Sequence, residues 1–202
     1  MSGDELLQIG AAPPKERADA ARNREKILGA AARLFERHGI ASVSMDQIAA
    51  EAGVGKGTLF RRFGDKSGLA EALLDDQERA LQQASLSGPP PLGPDAPAAA
   101  RLVAFVEAYA RFLEANLDLV RMSETASPGA RYRVGAYRFW HRHITILLTE
   151  ARPDLDADYL AHAILAPLGA DLRASLDHPA DRVLAGAVTF TRLVLTGVTS
   201  GP

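Results

Sequence analysis

Residues 44–66 read SMDQIAAEAGVGKGTLFRRFGDK, and their spacing decides the fold of the N-terminal part of the chain. Ser44 followed three residues later by Gln47 is a capping box, and the apolar positions Ile48, Ala49 and Ala52 come directly after it. It predicts a short helix that ends at Gly53, where a left-handed residue lets the chain turn. After Gly53-Val54-Gly55 a second short helix is expected over about Lys56 to Phe63, with Ile48, Val54, Leu59 and Phe63 forming the small core that sets the angle between the two. Two helices of about eight residues joined by a tight glycine turn match the helix-turn-helix unit, whose second helix enters a DNA major groove.

Working outward, Ile27, Ala31, Leu34 and Phe35 share a face of a helix expected over Asp19 to His38, with Gly39 as its stop. Downstream, Gly64-Asp65 precedes a helix from Lys66 to about Ala84. The stretch Ser87 to Pro97, SGPPPLGPDAP, holds five of the twelve prolines and cannot be helix interior, so it reads as a linker. Beyond it, Leu102, Phe105, Val106, Tyr109, Phe112 and Leu113 predict one amphipathic helix, and Val134, Tyr137, His141, Ile144 and Leu148 another. Two more are expected over about Asp156 to Leu176, with Pro167 as a kink, and Ala180 to Thr199. Strand signals are nearly absent, so the expected fold class is all-α. The expected organisation is a flexible arm over 1–18, a helix-turn-helix domain with its connecting helix over 19–86, the linker over 87–97, and a helical domain over 98–202.

Composition narrows the function. The 202 residues contain no cysteine, which removes disulfides, thiolate nucleophiles and Cys-based zinc sites. No apolar run approaches the roughly 18 residues of a membrane helix, and the first 20 residues lack the pattern of a signal peptide, so a cytoplasmic protein without a membrane partner is expected. A net charge of −2 argues against nucleic acid only until it is divided. Residues 15–66 carry eleven Lys+Arg against seven Asp+Glu, and residues 67–202 carry twelve against sixteen. The head is basic and the body acidic.

The string 44–66, together with Ile27, Ala31, Leu34, Phe35 and Gly39, resembles the TetR-type repressor family over about residues 20–75. Ile48-Ala49, Ala52-Gly53-Val54, Gly57-Thr58-Leu59, Phe63 and Lys66 carry the match. The resemblance implies a regulator that binds a palindromic double-stranded DNA operator as a homodimer and is released by a small-molecule effector. It implies that Lys56, Gly57 and Phe60 face base edges and that Thr58, Arg62 and Lys66 contact phosphates; Ser44 and Arg61 complete the DNA-binding set. Two positions depart from the family's habit: Phe60 stands where tyrosine is usual, and Gly55 where serine or threonine is usual. By analogy with the N-terminal arms of other DNA-binding folds, Arg17, Arg22 and Arg24 are candidates for phosphate or minor-groove contact, set against the alternative of solvated surface side chains.

The resemblance further implies that the C-terminal domain binds ligand and dimerises through its last two helices. Ala163, Ala170, Val183, Ala187, Phe190 and Val194, with Val198 beyond, are the candidate dimer face. The aromatic cluster Phe105, Tyr109, Phe112, Met122, Tyr137, Trp140 and His141 is the candidate ligand pocket, and the same stripe at helical spacing also reads as plain core. No histidine pair at i, i+4 is present, His141 and His143 flank Arg142, and His162 and His178 lie far downstream; neither a metal site nor a cofactor is expected. No nucleophile–base or paired-carboxylate spacing points to an enzyme. The rival reading is a helical ligand-binding or protein-interaction module that no longer binds DNA.

Overall fold

The computed structural model describes residues 14–133, 135–176 and 179–197, with side chains from residue 19 onward. Among the described residues every regular element is helical and none is a strand. They divide into two compact units, ending and beginning at Lys66 and Ser67.

The first unit contains α1 (Pro14–His38), α2 (Met45–Ala52) and α3 (Lys56–Phe63). α1 begins at Pro14, earlier than the expected Asp19, because a proline at the first helical position sacrifices no hydrogen bond. The C-terminal part of the expected arm is therefore helix; residues 1–13 lie outside the described residues, as does the side chain of Arg17. Ile27, Ala30, Ala31, Leu34 and Phe35 form the buried stripe of α1, and with Val43, Ile48, Ala49 and Leu59 they make the unit's core. Burying each large apolar side chain contributes about 1.5–3 kcal/mol. Gly39, at φ 73°, ends α1 with its N–H on the Phe35 carbonyl at 2.8 Å.

The second unit contains most of α4 (Lys66–Ser87), then α5 (Ala98–Ala115), α6 (Leu117–Glu124), α7 (Ala130–Arg133), α8 (Gly135–Ala151), α9 (Ala157–Leu165), a 3-10 turn (Ala166–Leu168), α10 (Ala170–Ser175) and α11 (Ala180–Thr196). The expected domain boundary at 87–97 and this division differ. Leu74 and Leu81 of α4 join the core of the second unit, and Leu92 of the proline-rich turn packs on it as well. α5 lies at the centre, against α8 on one side and α11 on the other, while α9 covers α8.

The helix expected over 156–176 is broken in two. Pro167 has no N–H to donate, and Gly169 is extended, so α9 gives way to a single 3-10 turn before α10 starts. Two side chains of opposite sign satisfy the exposed ends. Arg131 donates to the Leu165 carbonyl at 2.6 Å, and the Glu124 carboxylate accepts from the Ala170 N–H at 2.9 Å. Each charge sits at the helix end whose partial charge it opposes, and the two pair with each other at 3.6 Å. Burial holds the Glu124 carboxyl above its ordinary range, against the pull of Arg131 and of the Ala170 N–H.

Candidate nucleic-acid interface

Both ends of α2 are closed by local chemistry. Ser44 is the N-cap; its hydroxyl accepts from the Gln47 N–H at 3.2 Å, and its own N–H donates to the Gln47 side chain at 2.7 Å. At the other end Gly53, at φ 65°, and Val54 send their N–H groups to the carbonyls of Ala50 and Ala49 at 3.2 and 3.0 Å. This paired closure needs a left-handed residue at position 53, which glycine adopts without strain. α3 therefore leaves α2 in a direction set by two caps and by the buried pair Ile48 and Leu59.

α3, KGTLFRRF, contains three cations and no acid. Leu59 points inward and is fully buried, Thr58 and Phe63 are half-buried, and Lys56, Gly57, Phe60 and Arg61 are exposed. The last four are two i, i+4 pairs and share one face of the helix. Nothing packs on that face at Gly57: a Cβ built there would meet no heavy atom within 4 Å. Phe60 is 46% exposed, a large apolar ring left in water. Gly55, the N-cap, supplies no side-chain bond to α3.

The basic side chains around this face have different commitments. Lys56 forms an ion pair with Asp46 of α2, both exposed, which makes it weak and exchangeable. Arg62 donates to the Ala20 carbonyl of α1 at 3.0 Å, tying α3 to the start of the first helix. Lys66 reaches back to the turn between α1 and α2, donating to the carbonyls of Ile40 at 2.8 Å, Val43 at 3.0 Å and Ala41 at 3.4 Å. Its three ammonium donors thus meet three carbonyls. Arg22 pairs with Asp19 within α1, and Arg33 and Arg37 share Glu51 across to α2. Of the expected DNA-binding set, Lys56, Gly57, Phe60 and Arg61 lie on one open face, Ser44 caps α2, and Arg62 and Lys66 brace the unit.

In the second unit the expected pocket residues are mostly packed against one another. Phe105, Tyr109 and Trp140 are buried with ring centroids 5.4 to 6.0 Å apart, and Phe112 stacks on Tyr109 at 6.1 Å, while Met122 is half-buried. The stripe fills the core there, because rings stacked along α5 meet Trp140 and His143 of α8 at tilted and edge-on angles across the helix pair. Tyr137 lines a cavity of about 380 Å³ with Arg131, Tyr132, Tyr159, His162, Ala163 and Ala166. His141 stands beside it, its ring centroid 4.0 Å from that of His162. Sequence spacing between histidines does not reveal this grouping of His141 with His162 and Asp158; the signal that could have found it is the i, i+4 pair formed by Asp158 and His162.

The expected dimer face also divides. Ala170 is fully buried within the unit's own core, away from any outer surface, whereas Ala187, nearly buried, also lines the groove shared by Val183 and Phe190. Val194 leans on the same core. Ala163, Val183 and Phe190, joined by Pro167, Leu172 and Gly186, line an apolar groove of about 430 Å³, and Phe190 is 39% exposed. Val134, Val198 and His178 lie outside the described residues.

Comparison with known proteins agrees with this geometry. Residues 27–73 match the family described as bacterial regulatory proteins, tetR family. An HTH-type transcriptional regulator of Staphylococcus aureus (strain USA300) is 49% identical over 53 residues, which is 26% of this chain and 29% of the relative. The chain thus spans under a third of that curated relative's length. The fold extends further: a TetR-family transcriptional regulator from Pectobacterium atrosepticum aligns over 92% of this chain and 98% of its own, at 22% identity and a TM-score of 0.64. One from Streptomyces coelicolor aligns over 93% and 96%, at 22% identity and a TM-score of 0.60. The capped α2–α3 pair lies inside the matched segment, so residues 27–73 carry a tetR-family regulatory domain, and the chain around it has the fold of these solved regulators.

Proposed function

We propose that the chain is a DNA-binding transcriptional repressor that reads a palindromic operator as a homodimer and leaves it when a small molecule binds the second unit. The observation that carries the reading is the outer face of α3, where Lys56, Gly57, Phe60 and Arg61 stand exposed on a helix without an acid. Lys56 exchanges Asp46 for an acceptor on a guanine edge, Gly57 allows the backbone close to the bases, and Phe60 meets a thymine methyl. Arg61 and the Ser44 end of α2 meet phosphates. Thr58, half-buried beneath that face, adds a hydroxyl for a phosphate. Arg62 and Lys66 serve binding through the bracing they give α1, α2 and α3.

Two copies join through the groove lined by Ala163, Val183 and Phe190, which sets the distance between two α3 helices and hence the half-site spacing. The effector is taken in the second unit, beside Tyr137. It releases DNA to the extent that it binds one state of the dimer more tightly than the other. A mobility-shift titration against the promoter of a neighbouring gene, repeated at rising salt, tests the reading. Affinity is expected to fall steeply, with a slope of about 0.9 per phosphate contacted. Binding without salt dependence, or no binding, contradicts it.

A further inference from the structure

Two histidines and a carboxylate converge where α8 and α9 meet. Asp158 and His162 are one turn apart on α9 and so share a face. His141 of α8 lies over them, its Nε2 3.6 Å from Asp158 Oδ1 and its ring 4.0 Å, centroid to centroid, from that of His162. One ligand atom from each of the three lies within 4.8 Å of the others. Around a tetrahedral zinc ion with bonds of about 2.0–2.1 Å, neighbouring ligand atoms are about 3.3–3.4 Å apart. The His141–Asp158 separation is close to that edge. Asp158 has a 75% exposed side chain, so its carboxylate can rotate toward an ion, and the ligand atoms close in from within 4.8 Å of one another.

A fourth residue supports the arrangement from behind. The Tyr137 hydroxyl, one turn before His141 on α8, is 2.7 Å from His162 Nδ1. That hydrogen bond occupies Nδ1, fixes the ring and leaves Nε2 as the nitrogen for a ligand, the role that outer groups play around metal-bound histidines. His141 Nε2 lies 3.2 Å from the Asp158 carbonyl oxygen. On metal binding that bond is given up and the ring carries its proton on Nδ1. The nearby Arg131 guanidinium, 5.4 Å from the centre of the Tyr137 ring, is balanced by Glu124.

We propose that His141, Asp158 and His162 form a binding site for a divalent first-row transition ion, with zinc as the reference case. Two imidazoles and one carboxylate suit zinc, nickel, cobalt or copper, whereas magnesium and calcium require oxygen ligands. Three protein ligands leave a position open toward the cavity lined by Tyr137, Tyr159 and His162, where water or an oxygen of a bound molecule completes the shell. The site involves neither the first unit nor DNA, and it stands or falls apart from the regulatory reading.

The test uses the untagged full chain, stripped of metal and titrated with Zn²⁺ by equilibrium dialysis and with Co²⁺ as an optical probe. About one ion per chain is expected, with visible Co²⁺ bands that Zn²⁺ displaces and a raised Tm on Zn²⁺ binding. Asp158→Asn and His162→Ala, both at exposed positions, are expected to keep the fold by circular dichroism and abolish the stoichiometric site. Tyr137→Phe is expected to weaken it about 10–100-fold. Failure of the wild-type chain to take up Zn²⁺ or Co²⁺ stoichiometrically overturns the proposal. Uptake that survives unchanged in the Asp158→Asn and His162→Ala proteins also overturns it, because the ion then sits elsewhere.

Discussion

Replacing Lys66 by methionine separates a brace from a phosphate contact. Lys66→Met keeps the apolar stem and removes the ammonium, so the bonds to Ile40 and Val43 at 2.8 and 3.0 Å and the longer one to Ala41 at 3.4 Å disappear. A hydrogen bond to a charged group is worth about 1.5–3 kcal/mol. Lys66 is half-buried, water replaces part of what is lost, and the two good bonds together come to about 2 kcal/mol. That is about 30-fold in the local opening equilibrium. Hydrogen exchange at the turn between α1 and α2, and along α2, is therefore expected to speed up about 30-fold while the second unit is unchanged. DNA affinity falls for all sequences alike, because the α2–α3 frame has loosened, and its salt slope stays as in the wild type. Unchanged exchange together with a slope lower by about 0.9 would refute the reasoning and return Lys66 to the phosphate backbone.

Other perturbations test other parts. Gly57→Ala adds a methyl to open space in a helix, so α3 gains about 0.8–1 kcal/mol in helical preference while DNA affinity drops; stability by exchange and affinity by mobility shift must move in opposite directions. Burial, with the charges of Asp75, Glu71 and Glu124, pushes the Glu78 carboxyl up to about 7. A raised carboxyl pKa makes the folded state hold a proton the unfolded chain has released, so stability is fully present below about 4.5 and is lost as pH rises through about 7. Glu78→Gln is expected to stabilise the chain by about 1–2 kcal/mol near pH 8, after allowing for partial exposure, and by almost nothing near pH 5, as read from urea unfolding at both. Phe190→Glu places a charge in the apolar groove and is expected to give a folded monomer in light scattering; a dimer that survives it places the interface elsewhere.

The parts of the structure legible in the sequence are those whose causes are local. Ser44 with Gln47, and Gly53 with its two carbonyls, declare α2 within ten residues because capping chemistry acts across one turn. The buried stripe of α1 follows from periodicity in the same way. Lys66 shows the limit: its partners lie 23 to 26 residues away, and an exposed phosphate contact and a half-buried brace have the same letters at the same position. The aromatic stripe of α5 and α8 is ambiguous for another reason, since rings at helical spacing line a pocket or fill a core according to how closely two helices approach. Pro167 announces a kink, but the depth of the break depends on Arg131 and Glu124 arriving from α7 and α6. The sequence around His141 does not show its partners, Asp158 and His162, because they come from the next helix, brought over only when α8 and α9 pack.

The central claim is that α3 reads DNA through its outer face. Selection of binding sites from random double-stranded DNA, run in parallel with the wild-type chain and Lys56→Ala, addresses it most directly. The account predicts enrichment of an inverted repeat by the wild-type chain, and with Lys56→Ala a relaxed preference at one symmetry-related position of each half-site, with the rest of the repeat intact. No enriched sequence, or an enriched repeat identical for both proteins, would contradict it.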